Sequence, residues 1–349
     1  MRALFFSDPH FTDREQDAYR WKVFPFLHHV EALYGEIDLL ACLGDLTDHK
    51  DCHSSALLHR VAKELVDAPG LSKIILTGNH DYIDPKEPFF DFLGRLKPAH
   101  IDYCGEPRLF EGVMLVLPHT RNPERDWAEC RKHDEDLKLV LVHATVEGCQ
   151  SEMGMILPGL KRTDIPGRKA LILSGDIHKP QHLGPDFIYV GTPYSTRFSP
   201  FYEPRVLLLE WDPGAPRFDP KITSIPTGLK RKITHTISLA EAEACGGLPT
   251  ILPLLTSEDE LRISVRIPQH FPPARWRELK ASLLEQWSSY PTSVSIIPAM
   301  EKLEIIENQT TVSRTTPKES LSEYCKANAI TDSLATVGQD LLRRRLQST

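Results

Sequence analysis

The stretch LILSGDIHKPQ, residues 171–181, runs out of an apolar segment into a glycine and then sets Asp176 and His178 two residues apart. Residues two apart share one face of a strand, and in a turn just past a strand they can converge on one point. One such pattern is weak, because an Asp-x-His segment is more often an ordinary polar loop. Its meaning depends on whether other apolar runs end the same way, and four do. Run 3–6 leads into Ser7-Asp8-Pro9-His10, and run 39–43 into Gly44-Asp45-Leu46-Thr47-Asp48. Run 74–76 leads into Thr77-Gly78-Asn79-His80-Asp81, and run 139–142 into His143.

These runs, with 113–117, 187–190 and 206–209, are short and rich in Val, Ile and Leu, the signature of buried strands. Helical spacing appears between them, at 54–67 with Leu57, Leu58, Val61 and Leu65, and at 86–96 with Phe89, Phe90 and Leu93. Alternating strands and helices predict an α/β layered core over 1–212. Residues 213–230, opening with PGAPRFDP, read as a linker. A small α+β domain is expected over 231–305. There 231–238 is a strand, and LRISVRI (261–267) alternates as a half-buried strand does. A helix opens at Pro272-Pro273, with Trp276, Leu279, Leu283 and Trp287 as its core stripe, and 293–297 returns as a strand. A flexible linker (306–316) leads to a helical tail (317–349) with short helices at about 317–327 and 332–346. Such helices need a surface to dock on.

The chain has 349 residues, 41% hydrophobic and 26% charged, with a net charge of -7. No apolar run is long enough to span a bilayer or to serve as a signal peptide, so a cytoplasmic protein is expected. The seven cysteines show no CxxC and no regular spacing, which argues against a disulfide framework or a structural zinc site. The net charge disfavours coating nucleic acid by bulk charge, but carboxylates that hold metals count in that sum, so a nuclease stays open.

Five strand ends thus offer carboxylate, imidazole and one amide oxygen, and no thiolate. In open α/β sheets, ligands bind beyond the carboxyl ends of the strands. The donor set suits manganese and is compatible with iron or zinc. It suffices for two ions sharing a carboxylate, an arrangement that serves in-line phosphoryl displacement. Phosphoester hydrolysis is the expected chemistry. Gly44, Gly78 and Gly175 are expected to let the backbone turn sharply after each strand.

Asp8-x-His10, Gly44-Asp45, Gly78-Asn79-His80-Asp81, His143 and Gly175-x-x-His178 resemble the calcineurin-like metallophosphoesterase signature, over roughly the first 200 residues. GDIHKPQ and GTPYSTRFSPFYEPRVLLLEWD further resemble the SbcD-type double-strand-break repair nuclease subunit and its relatives, phage members included. The resemblance implies a layered α/β/β/α core, a capping domain, and a tail that docks on an SMC-like SbcC-type ATPase. It implies that Asp8, His10, Asp45 and His178 hold one metal ion. Asp45, Asn79, His143 and Asp176 would hold the other, both ions manganese, with magnesium the alternative. His80 would act on the leaving oxygen without binding metal. The family has histidine where Asp176 stands. Either this aspartate ligates through oxygen, or it turns aside and a water or neighbour completes the site. His49, His53, Lys179 and Arg197 are candidate substrate contacts. The resemblance also implies DNA as substrate, 3′–5′ exonuclease and single-strand endonuclease action, and a homodimer through the nuclease domain. If the chain is phage-encoded, the expected cytoplasm is the host's. The competing readings are an enzyme for small phosphoesters or cyclic nucleotides, and a non-catalytic scaffold.

Overall fold

The computed structural model describes residues 1–84, 87–96, 100–215, 217–244, 255–268, 271–287 and 293–300. The expected linker 306–316 and the tail helices lie outside them.

Each of the eight apolar runs forms a strand. The first sheet contains β1 (Arg2–Phe6), β2 (Leu39–Cys42), β3 (Ser72–Leu76), β4 (Ile101–Cys104), β11 (Arg205–Glu210) and β12 (Lys221–Pro226), in the order β12-β11-β1-β2-β3-β4. The second contains β5 (Arg108–Phe110), β6 (Met114–Leu117), β7 (Leu139–His143), β8 (Leu171–Gly175), β9 (Gln181–His182) and β10 (Phe187–Tyr189), in the order β5-β6-β7-β8-β10-β9. β1 to β4 run parallel, as do β6, β7, β8 and β10, so their carboxyl ends lie along one edge of each sheet.

The runs are continuously apolar because both faces are buried. Ala3, Phe5, Leu39 and Ala41 point inward and meet Leu139, Leu141, Leu173 and Ile188 of the second sheet. Their neighbours Leu4, Phe6, Leu40 and Cys42 point outward against α1 (Val23–Tyr34) and α2 (Ser55–Asp67). Ser54 caps α2 by accepting from Leu57 N at 3.1 Å. The helix expected over 86–96 is shorter: α3 spans Asp91–Leu96, burying Leu93, while Phe89 is exposed. On the far side of the second sheet the outer layer is thin. It is the single turn α4 (Pro123–Asp126) and 3-10 turns, with buried Trp127 packed among Val140, Val142 and Ile172. This is the expected layered α/β architecture.

Lys221–Pro226, inside the stretch expected as a linker, is an edge strand antiparallel to β11. Its residues are half-buried or exposed, so no apolar run marks it. β4, β5 and β9 carry equally little apolar signal. Past them, β13 (Lys232–Ser238), β14 (Glu260–Ile267) and β15 (Ser293–Met300) form an all-parallel sheet, with α5 (Leu239–Glu243) and α6 (Pro273–Trp287) against it. Leu261, Ile263, Val265 and Ile267 are buried on β14, as its alternation predicts. Thr234 N donates to Ser199 O at 2.6 Å, and Ser195 N to Lys230 O at 3.0 Å, which ties this sheet to the loop after β10. Arg231 joins the buried carboxylate of Asp259 (2.7 Å) to Glu203 (3.0 Å). Among the described residues no helix is long and apolar enough to cross a membrane.

Candidate metal centre

The loops after β1, β2, β3, β7 and β8 meet at one edge of the two sheets. Asp8, His10, Asp45, Asn79, His143, Asp176 and His178 all come together there. Backbone pairing past the strands does the first part of the work. Asp8 N donates to Gly44 O (3.1 Å), His10 N to Asp45 O (3.0 Å) and Phe11 N to Leu46 O (2.9 Å). The ligand loops also take a rare conformation. Of the six non-glycine residues with positive φ among those described, four are Asp8, His10, Asp45 and Asp176. Such backbone costs of order 1–3 kcal/mol per residue and persists only where the surroundings enforce it.

The glycines act differently from the sequence expectation. Gly44 does have positive φ (+99°), but Gly78 and Gly175 do not. They are needed for closeness. A Cβ at Gly78 would lie 2.2 Å from Asp45 Oδ1, and one at Gly175 would lie 2.2 Å from Leu43 O.

Asp45 sits between two groups of donors. Its Oδ2 is 3.5 Å from His10 Nε2, and its Oδ1 is 3.5 Å from His143 Nε2. On one side His10 Nε2 faces His178 Nε2 at 3.0 Å, with Asp8 within reach of both rings. On the other side His143 Nε2 is 3.1 Å from Asn79 Oδ1 and 3.7 Å from Asp176 Oδ1. Asp176 therefore turns into the site, held by Thr145 Oγ1 at its Oδ2, while its own N donates to Asp8 Oδ1 at 3.1 Å.

The electrostatics fit cations. Two buried carboxylates, Asp8 and Asp45, and the half-buried Asp176 lie close together, with His143 as their nearest counterweight. Burial, with Asp8 and Asp176 nearby, pushes Asp45 up to about 7 against the pull of His143. Burial raises Asp8 as well. For His143 burial works downward, but Asp45, Asp8 and Asp176 outweigh it and lift the imidazole to about 9. His10 lies well below its ordinary value through burial and the neighbouring His178 and His80, so it is neutral and ready to ligate. Among the described residues, three groups of buried or half-buried His and Asp have donor atoms within 4.8 Å of one another: Asp8, His10 and His178; Asp8, Asp45 and His143; His10, Asp48 and His80. These are hard and borderline donors at the spacing a divalent ion requires.

His80 lies beside this set. Its Nδ1 donates to Asp48 O (2.8 Å), its backbone N donates to Asp45 Oδ1 (2.8 Å), and its ring stands edge-on to His10 at 4.8 Å. It lines a cleft of ≈ 510 Å³ together with Arg197, Arg14 and Lys232. Of the substrate candidates, only Arg197 lines that cleft. Lys179 is engaged with Gln150 Oε1 at 3.0 Å. His53 bonds Thr47 Oγ1 (2.8 Å) and stacks on Phe89 at 4.1 Å. His49 stays outside the cleft lining.

Two residues that sequence reading did not single out support the site. Asp81 is fully buried and accepts from Gly78 N (2.7 Å) through Oδ2 and from Leu46 N (2.9 Å) through Oδ1. It thereby fixes the β3 loop to the β2 loop. Its signal was in view, as the last residue of Gly78-Asn79-His80-Asp81. Glu152 bonds His178 Nδ1 at 3.2 Å from a loop with no motif.

No curated protein matches the chain. The family model of the calcineurin-like phosphoesterases matches residues 1–180, which span all seven gathered donors and His80. With its paired donor groups around a shared carboxylate at the strand ends, the chain belongs to the calcineurin-like phosphoesterase family, whose members are metal-dependent phosphoester hydrolases.

Proposed function

We propose that the chain is the nuclease subunit of a DNA-processing complex, a phosphodiesterase using two manganese ions. The observation that carries the two-ion part is the Asp45 carboxylate, with one oxygen toward His10 and the other toward His143, both at 3.5 Å. Asp8, His10, Asp45 and His178 would hold one ion, and Asp45, Asn79, His143 and Asp176 the other. When bound, two such ions supply an activated water and offset negative charge on the phosphoryl oxygens.

The chain's own groups do the rest. The Asp48 carbonyl fixes the hydrogen on His80 Nδ1, so His80 Nε2 is the atom that meets the leaving oxygen. As imidazolium it delivers a proton there. Arg197 and Lys232 face the cleft and would position phosphates, which carry register rather than sequence information. DNA as the substrate rests on the GDIHKPQ segment and on the sheet β13–β15, whose Lys232 reaches the cleft. The same reading assigns residues 317–349 to docking on an SMC-like SbcC-type ATPase, and residues 1–212 to a homodimer contact.

Manganese-dependent cleavage by the full chain separates this reading from a small-phosphoester enzyme. Duplex DNA, bis-p-nitrophenyl phosphate and a nucleotide monoester are assayed side by side. Cleavage of DNA and the diester is expected, with His80→Ala retaining manganese and losing turnover. Activity confined to the monoester would overturn the nuclease reading.

A further inference from the structure

We propose that Glu152 is a positioning residue that holds the His178 half of the centre and the cleft-facing Arg197 with one buried carboxylate. The proposal rests on the two-ion reading and is independent of the DNA substrate. Glu152 is 7% exposed. Its Oε1 accepts from the Tyr202 hydroxyl at 3.2 Å and lies 3.2 Å from His178 Nδ1; its Oε2 pairs with Arg197 Nε at 2.5 Å. An ionised carboxylate only accepts, so His178 Nδ1 carries the hydrogen. That leaves the lone pair on Nε2, the atom that faces His10 across 3.0 Å. Thr196 Oγ1, also 3.2 Å from Nδ1, shares the same hydrogen.

The other two imidazoles have weaker support. His143 Nδ1 meets a backbone carbonyl, Leu43 O, at 2.7 Å, and His10 Nδ1 has no hydrogen-bond partner among the described residues, the Asp48 carboxylate standing off at 3.7 Å. A carboxylate orients a ligating imidazole and raises its basicity more than a carbonyl does. Among the described residues, only His178 of the three imidazoles has a carboxylate at hydrogen-bond distance from its Nδ1, so Glu152 serves one half of the centre.

The turn carrying Glu152 is itself pinned. Ser151 N donates to Met155 O (2.8 Å) and Gly154 N to Ser151 O (2.9 Å). Gln181 then clamps Gln150 at both ends of its amide. Its Oε1 accepts from Gln150 N and its Nε2 donates to Gln150 O, each at 2.8 Å. Lys179 Nζ donates to the Gln150 side chain at 3.0 Å. Pro180 packs over Gly191, where a Cβ would come within 2.6 Å of the proline ring. The Lys-Pro-Gln that follows His178 thus holds the loop whose carboxylate orients His178.

Calorimetric titration of the full chain with manganese tests this. His178→Ala and Asn79→Ala first assign the two binding phases of the wild type. Glu152→Ala is expected to weaken the phase that His178→Ala removes by about 10–100-fold, leaving the phase that Asn79→Ala removes unchanged. Glu152→Gln keeps an oxygen for Nδ1 and should weaken the same phase alone, by less. It carries the test if thermal melting shows the alanine variant unfolded. Equal weakening of both phases, no weakening, or a Gln variant as poor as a folded Ala variant would overturn the role of Glu152. A wild type with a single phase would instead overturn the two-ion reading.

Discussion

At the scale of single residues, the centre is made of groups held in states they would not choose alone. Asp8, His10, Asp45 and Asp176 sit in left-handed backbone, and Asp45 and His143 hold protons past their ordinary values, at about 7 and about 9. Aspartate and histidine tolerate left-handed backbone better than most side chains, so nothing in the sequence marks this strain. Which side chains gather there was legible, since each follows an apolar run. Conformation was not, because it comes from hydrogen bonds between loops far apart in the chain. The protons have a consequence. On the two-ion reading a cation must displace them from Asp45 and His143, so manganese affinity should rise with pH, steeply up to about 7 while both groups hold protons, less steeply from there to about 9, and then level off. Titration at pH 7.5 in two buffers of different ionisation enthalpy checks this. The observed heats should differ by the protons released, and identical heats would contradict it.

At the scale of elements, strands buried on both faces were legible and edge strands were not. β1, β2, β3, β7 and β8 announce themselves by apolar runs, whereas Lys221–Pro226 at the sheet edge reads as a linker because only weak half-burial shapes it. Gly78, past β3, and Gly175, closing β8, were legible as special, but for another reason: the neighbouring loop passes where a side chain would be. Asp81 shows how loops from adjacent strands are locked together. Asp81→Asn keeps an oxygen for Leu46 N but turns an amide N–H toward Gly78 N, leaving a buried donor unmatched. Such a loss costs about 1–3 kcal/mol. Urea unfolding of the metal-free protein should show a destabilisation of that size, with weaker manganese binding. Unchanged stability and binding would mean that the two loops hold their positions without this carboxylate.

At the scale of the whole molecule, two sheets packed face to face bring five strand ends to one edge, and the β13–β15 sheet adds Lys232 beside them. The layered core and the convergence of these side chains were readable because they repeat one local pattern, apolar run then polar donor, along the chain. The supports were not, because Glu152 meets His178 and Arg231 meets Asp259 only after the chain has folded. Lys179 shows the same limit from the other side. It reads as a phosphate contact, and in the fold its ammonium braces a loop through Gln150, which no sequence pattern marks. The central claim is a centre of two ions astride Asp45. Anomalous diffraction from manganese-soaked crystals tests it most directly. Two peaks are predicted, one among Asp8, His10, Asp45 and His178, the other among Asp45, Asn79, His143 and Asp176. A single peak, or peaks away from the Asp45 carboxylate, would contradict it.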